Sequence, residues 1–293
     1  MGGIESYEAA RDLLDRQLAT DYCLPEGAIG LARQFGSNLL TAERLPLENM
    51  RSDRRRYTDH WELRLAHYSG ITLLSAQHPR VLQAIEEQLA GDAGAWVGDY
   101  SRLLRVNDYL SPSAMQNTGT ALFFTPGRDL FRKDRRAEQQ DAAAQLSQQG
   151  FSFRWLEPTE CDAYRGHEFF TNAFGFSALR PDLYVLAAYS DGQPVAVAGA
   201  SADSLLANQI GVDTLPDYRN RGLASYLVHE LALKVLEQGQ LPFYGTSPSH
   251  VLSQKVAIKA GLEPAWWEFA STSLLDIDLD RPEHNLIEGN LPS

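Results

Sequence analysis

Cysteine is scarce in this chain: Cys23 and Cys161 are the two among 293 residues, far apart and outside any CxxC spacing. That excludes a disulfide framework or a cysteine-rich metal centre and fits a reducing compartment. Basic charge is also in short supply, with 26 Lys and Arg against 38 Asp and Glu and a formal net charge of −12. A protein that neutralises phosphates along a nucleic acid carries the opposite balance, so no nucleic-acid partner is expected. Long apolar runs are absent. Leu183–Tyr189 is strand-sized, so no membrane span is expected. The start, MGGIESYEAA, has neither the basic region nor the apolar stretch of a signal peptide, and a cytoplasmic location is expected. Met1, Gly2 and Ser6 spell M-G-x-x-x-S, which we read as chance with Glu5 inside it and no basic cluster after it. There is no Walker A loop, HExxH or GxSxG, and His60, His67 and His78 lack metal-ligand spacing, so no metal is expected.

What is present is 44% hydrophobic, enough for an ordinary core in one large domain or two smaller ones. Residues 1–126 read as a smaller mixed α/β region. It has helices near Ile4–Ala19 and Glu26–Gln34, strand character from Trp61 to Leu74, a helix at Val81–Leu89 and a strand at Leu122–Phe124 stopped by Pro126. Arg51, Arg54, Arg55 and Arg56 within it form a basic cluster that we read as a solvated loop. Residues 127–150 turn charged and then Gln/Ala-rich, as a helical connector does. A second domain is expected over 151–279 in the order β-α-α-β-β-β-α-β-α-β, with 280–293 a tail. In it Glu157-Pro158 opens a helix expected to reach towards His167, and Trp266–Phe269 and Ser273–Ile277 are expected as closing strands.

The most informative stretch is Ile210–Ala232, IGVDTLPDYRNRGLASYLVHELA. Ile210, Val212 and Thr214 alternate as a strand, Pro216-Asp217 break it, and Leu223, Leu227 and Leu231 recur at helical spacing. A strand, a cationic glycine-containing turn and a helix N-terminus make an anion site, because first-turn N–H groups lack intrahelical acceptors and the helix dipole adds partial positive charge.

Arg219-Asn220-Arg221-Gly222-Leu223-Ala224 matches (Q/R)-x-x-G-x-(G/A), and His250–Leu262 is similar to N-x-x-S-x-x-V-x-x-K-x-G-F. In this order, with a strand between them, the two segments resemble the GNAT superfamily of N-acetyltransferases, over roughly Phe151–Ile277. The resemblance implies a mixed α/β (α+β) fold with a central, mostly antiparallel sheet, and acetyl-CoA as co-substrate without a metal. By the same resemblance, Arg219, Asn220, Arg221, Gly222, Leu223, Ala224 and Ser225 would cradle the coenzyme A pyrophosphate. Val212, Asp213 and Thr214 would flank the pantetheine arm on one side and Thr246, Ser247 and Ser253 on the other, with an amide near Val212 polarising the thioester carbonyl.

Where the superfamily often places a glutamate base this chain has Asn208, and Ala257 and His250 replace a tyrosine and an asparagine of the later helix. The catalytic candidates near the thiol are therefore Ser253, His250 and Tyr244, with Glu168, Asp203 and Glu268 as bases that loops could bring in. The activity implied is acetyl transfer to the amine of a small molecule by direct attack. The alternatives are a non-catalytic acyl-CoA sensor on the same fold and a protein or peptide N-acetyltransferase.

Overall fold

The computed structural model describes residues 2–45, 54, 61–89, 94, 96–113, 115–117 and 119–273. Arg51, Arg55 and Arg56 of the basic cluster, His60, Met1 and the whole of 274–293, with its expected tail, lie outside the described residues. In chain order the elements are α1 (Tyr7–Asp21), α2 (Ala28–Phe35), β1 (Leu39–Glu43), β2 (Leu63–Tyr68), β3 (Ile71–Ala76), α3 (Pro79–Leu89), α4 (Tyr100–Leu110), β4 (Met115–Asn117) and β5 (Ala121–Pro126). They continue with α5 (Arg135–Gln148), β6 (Phe151–Leu156), α6 (Pro158–Cys161), β7 (Asp182–Ser190), β8 (Gln193–Ala202), β9 (Ala207–Thr214), α7 (Leu223–Glu237), β10 (Leu241–Thr246), α8 (Val251–Lys259) and β11 (Leu262–Ser273). This is a mixed α+β fold. Among the described residues, no helix is long and apolar enough to cross a membrane.

The chain divides into two compact units that are both discontinuous in sequence. One takes the residues up to Arg11 together with Phe124–Pro264; the other takes Asp12–Phe123 and the chain from Ala265 onward.

The unit that holds Phe124–Pro264 has a sheet in the order β10-β9-β8-β7-β6, antiparallel except for the parallel β9–β10 pair. Helix α7 packs across β7, β8, β9 and β10. Its apolar face does so as the heptad-like spacing predicts, with Leu223, Leu227, Val228, Leu231, Ala232 and Val235 all buried. The segment read as a connector supplies a 3-10 turn, Arg128–Phe131, and α5, which packs against α7 and β6. The helix expected from Glu157 towards His167 is much shorter. A capping box between Glu157 and Glu160 starts it, but after α6 only a 3-10 turn at Asp162–Tyr164 follows, and Gly166 at φ 79° turns the chain out of helical geometry.

The unit that holds Asp12–Phe123 has a sheet in the order β1-β3-β2-β11, with β4 paired to β11. β2 and β3 form a hairpin whose turn, Ser69-Gly70, has positive φ at both residues, 51° and 82°. The expected strand Trp266–Phe269 is the middle of a longer one, β11, whose Trp266–Ala270 pairs antiparallel with Tyr68–Arg64, while the strand expected over Ser273–Ile277 lies, after Ser273, outside the described residues. Leu63, Leu65, Leu74, Ile85, Val106, Leu110 and Phe269 make the core between this sheet and α3 and α4.

A charged network is buried in the same unit. Arg54 Nε donates to Asp21 Oδ2 at 2.5 Å and its Nη2 to Glu268 Oε2 at 2.8 Å. Trp266 Nε1 also donates to Glu268, at 2.8 Å, and Arg64 donates to the Asp21 carbonyl. The Phe123 and Trp266 rings stack at 4.6 Å with the Arg54 guanidinium 5.4 and 5.1 Å from their centroids. The acids Asp21 and Glu268 hold the Arg54 charge firmly in place despite complete burial. Removing one acid breaks one of the two buried pairs that hold Arg54, and breaking such a pair costs about 3–5 kcal/mol. Asp21→Asn is therefore expected to lower unfolding free energy by that amount in urea titrations; a loss below about 1 kcal/mol would mean the pair is solvated.

Candidate functional site

The site begins where a β-ladder stops. β10 pairs with β9 only over Leu241–Phe243 against Ala207–Gln209, while β9 stays paired to β8 along its whole length, from Asn208↔Ala202 to Thr214↔Ala196. Beyond that register, Ile210–Thr214 and Tyr244–Thr246 carry no ladder between them, so backbone donors and acceptors on both facing edges are available. The hydroxyls of Thr214 and Thr246, at the two open ends, are buried and have no hydrogen-bond partner among the described residues. Such orphaned groups are costly unless a ligand or water meets them.

The chain leaves β9 through a 3-10 turn, Pro216–Tyr218, then Asn220 at φ 62° and Gly222 at φ 89°, before α7 opens at Leu223. The first hydrogen bond of that helix end runs from the Tyr226 N–H to the Gly222 carbonyl at 3.1 Å, leaving the preceding amides free to meet an anion. Gly222 is favoured by its left-handed φ, one that side chains rarely adopt, and a Cβ there would meet nothing within 4 Å. Arg219 Nε donates to the Thr214 carbonyl at 3.2 Å, which ties the turn to the strand end. Arg221 donates to the Asp217 carbonyl at 3.3 Å and lies over the Tyr218 ring. Ser225 Oγ donates to the Gly222 carbonyl at 3.0 Å. A cleft beside the turn is lined by Arg221, Gly222, Ser225 and Tyr226 together with Glu138, which pairs with Arg135 at 3.1 Å, and with the cations Arg135 and Lys259. Those last two cations extend the site beyond the residues picked from sequence. Lys259 sits at the lysine of the later motif, but Arg135, in α5, is marked only by a generic basic run.

Of the residues proposed near a thiol, the structure brings two together: Tyr244 Oη and Ser253 Oγ are 2.8 Å apart. Tyr244 is buried, and burial, with the nearby Asp213 charge adding to it, pushes its phenol up to about 12. His250 stands at the N-cap of α8 without a capping bond and does not join this pair. Ser247 bonds Ser249 Oγ at 2.9 Å and shapes the turn into α8. Asn208 is fully buried; its Nδ2 donates to the Ser201 carbonyl at 3.2 Å, while its Oδ1 has no hydrogen-bond partner among the described residues. Among the other acids, Glu268 is committed to Arg54, Asp203 is buried against Ser201 Oγ at 2.8 Å, and Glu168 is exposed. The Asp213 carboxylate, which sequence placed beside the coenzyme, is taken up by Asn172 and Ala173. Among the described residues no group of three or more His, Cys, Asp or Glu could hold a metal ion.

Helices α7 and α8 are pinned to each other beneath this site by a histidine that sequence reasoning passed over. His229 is buried in α7 and its Nδ1 lies 2.9 Å from the Ala260 carbonyl at the end of α8, which makes Nδ1 the protonated nitrogen of a neutral ring.

The acetyltransferase (GNAT) family model matches residues 144–256. No curated protein matches the chain. Among solved structures, the chain is similar to a GCN5-related N-acetyltransferase-like protein from Streptococcus suis, at 18% identity over 76% of this chain and 90% of that one, with a TM-score of 0.46. It is also similar to a GCN5-related N-acetyltransferase from Kribbella flavida, at 17% identity over 56% and 62% with a TM-score of 0.38. A third, an aminoglycoside N-acetyltransferase in complex with coenzyme A, is 23% identical over 39% of this chain and 89% of that one, with a TM-score of 0.32.

Burial holds the His229 ring below its ordinary value of 6.5, so the unfolded chain takes up the proton first as pH falls. Stability is accordingly expected to be full above pH 6.5 and to decline as pH drops towards the folded value. His229→Gln, compared in urea titrations across that range, should flatten this slope; an unchanged slope would assign it to other groups.

Proposed function

We propose, from the acetyltransferase (GNAT) family model that matches residues 144–256, that the protein is an acetyl-CoA-dependent N-acetyltransferase acting on the amine of a small molecule. The observation that carries this reading is the release of β10 from β9 after Phe243, immediately ahead of a glycine-turned helix N-terminus. A pantetheine arm needs a strip of unpaired backbone, and a pyrophosphate needs convergent N–H groups at one end of it. Both needs are met within Ile210–Ser225, and the orphaned Thr214 and Thr246 hydroxyls fit polar atoms in the gap.

When bound, the coenzyme supplies an acyl group activated as a thioester. The residues of the chain supply the rest. The amides of Asn220–Ser225 and the side chains of Arg219 and Arg221 hold negative charge at the α7 end, with Arg135 and Lys259 adding cationic lining in the cleft. The Val212 amide offers a donor for a developing oxyanion. Tyr244, raised to about 12, keeps its proton at neutral pH and is the residue we assign as proton donor, oriented by Ser253. The net charge of −12 favours approach of a cationic amine over an anionic acceptor.

One observation favours the sensor reading instead. Ala257 is completely buried where the family pattern often has a tyrosine, and Asn208 is buried where it often has a glutamate. The chain therefore lacks two familiar catalytic side chains and relies on Tyr244 and Ser253.

Titration calorimetry with acetyl-CoA followed by thiol-release assays against a panel of small amines tests both readings. Binding with amine-dependent thiol release supports the transferase; binding with none across the panel supports the sensor; no binding rejects both. Gly222→Val is expected to weaken acetyl-CoA binding by about 100-fold or more with the circular dichroism spectrum unchanged, since it loses the left-handed turn and fills the anion path. Tyr244→Phe should lower kcat by about 100-fold while leaving acetyl-CoA affinity intact, as expected for loss of a general acid.

A further inference from the structure

Helix α8 is nine residues long, shorter than a helix that is stable by itself in water, and Ala257 is the buried residue within it. Val251, Leu252 and Ile258 are exposed. So small a buried face does little to hold the helix, and its placement rests on polar ties at its two ends. At the first end, Gln254 Nε2 donates to the Pro248 carbonyl at 2.7 Å, and Ser253 meets Tyr244.

The other end is held by donors from three places in the chain. The last carbonyls of a helix have no donor within it and need one from outside. Here the Lys259 carbonyl accepts Arg135 Nη2 at 2.8 Å, the Ala260 carbonyl accepts His229 Nδ1 at 2.9 Å, and the Gly261 carbonyl accepts the Gly127 N–H at 3.0 Å. Arg135 also sets a positive charge at the negative end of the helix dipole. The joint is close: a Cβ on Gly127 would lie 3.1 Å from the Gly261 carbonyl oxygen, and one on Gly261 would lie 3.1 Å from the Leu130 side chain. Residues near the start of the chain brace the same joint. Tyr7 donates to Glu263 at 2.6 Å, and Arg128 pairs with Glu8 at 3.0 Å and lies 4.2 Å from the centre of the Tyr7 ring. Residues 7–8 and 127–135 all stand outside the span 144–256 that the family model matches.

We propose that Arg135, His229 and Gly127 are positioning residues for proton donation: by fixing the C-terminal end of α8, they keep Ser253 in contact with Tyr244. A short helix moves as one body, so freedom at Ala260 is passed to Ser253 about two turns away. The brace does not depend on the function assigned; its role in the reaction rests on the acetyltransferase reading above.

Two substitutions at His229, which lies outside the cleft and the gap, test the brace in the full chain. His229→Leu removes the donor to Ala260 and keeps an apolar side chain, while His229→Asn keeps an N–H close to where Nδ1 stands. Without any ligand, the ring-carbon NMR signal of isotope-labelled Tyr244, assigned by its loss in Tyr244→Phe, is expected to shift in His229→Leu and to return close to its wild-type position in His229→Asn. With an amine acetylated in the panel, His229→Leu should lower kcat by about tenfold with acetyl-CoA affinity within about twofold of wild type, and His229→Asn should recover most of that loss. Arg135→Met, at a partly exposed side chain, should shift the same Tyr244 signal and carries the ligand-free arm if His229→Leu fails to fold. An unshifted Tyr244 signal in the folded variants overturns the positioning role, as does an unchanged kcat in His229→Leu. A fall in acetyl-CoA affinity as large as the fall in kcat, or a His229→Asn protein as impaired as His229→Leu, assigns the loss to general packing and overturns it too. Failure of the wild-type protein to bind acetyl-CoA counts against the acetyltransferase reading alone, since the Tyr244 signal is read without a donor.

Discussion

Everything at the site follows from one hydrogen-bond ladder that is broken off and another that is not. β9 is held along its whole length by β8 and for only its first three residues by β10. A strand held on one edge keeps its shape while its other edge stays open, so polar backbone is presented in an ordered row without being flexible. Without the β8 ladder, the unpaired end of β9 would fray. With a full β10 ladder, there would be no gap. The helix N-terminus then adds its donors at the far end of that row, and Gly222 is the hinge in the chain that points the helix there.

Charge is used in two opposed ways. In the unit around Asp12–Phe123, Asp21 and Glu268 pair with Arg54 in the interior beside the stacked Phe123 and Trp266 rings, an arrangement whose value lies in not being half dismantled. Around β9, the carboxylates of Asp213 and Asp182 face backbone N–H groups instead of cations. A carboxylate that accepts main-chain donors fixes a path of the chain without needing a cationic side chain as its hydrogen-bond partner. An acidic protein can in this way hold a cationic mouth at one helix end and an irregular acidic-bound segment a few residues away.

The legible part of this in sequence was local and periodic. The strand, turn and helix of Ile210–Ala232 and the α8 motif could be read because alternation, i+4 spacing and glycine placement are short-range signals. The Tyr244–Ser253 pair was half legible: both residues stood near the gap by order along the chain, but the 2.8 Å contact between β10 and α8 depends on how the helix returns to the sheet. The path of Asn172–Phe176, held by Asp213 and Asp182, was not legible. Nothing in the run Asn172–Phe176 has a period, and Asp213 and Asp182 find it only once β7 and β9 lie in one sheet. Gly199 and Gly211 did carry a signal, since a glycine inside a strand marks close approach of another backbone. Paired across two strands, they mark the place of that approach.

Discontinuity of the units also escaped a reading that moves along the chain, and it has a physical consequence. β2 is a nearly all-buried strand whose second neighbour, β11, is made from Trp266–Ala270, some two hundred residues later in sequence. At the other end, the Ile4 N–H bonds the Leu236 carbonyl at 2.9 Å and Tyr7 bonds Glu263 at 2.6 Å, so the first residues complete the later unit. Each unit therefore closes its hydrogen-bond account with residues from beyond the other in sequence, and the loop-closure entropy of both must be met before either is complete. A fragment cut at residue 150 would leave β2 with an open apolar edge on one side of the cut and Trp266 and Phe269 without their sheet on the other. The domain recognised by its motifs is thus shorter than the piece of chain that can be expected to fold.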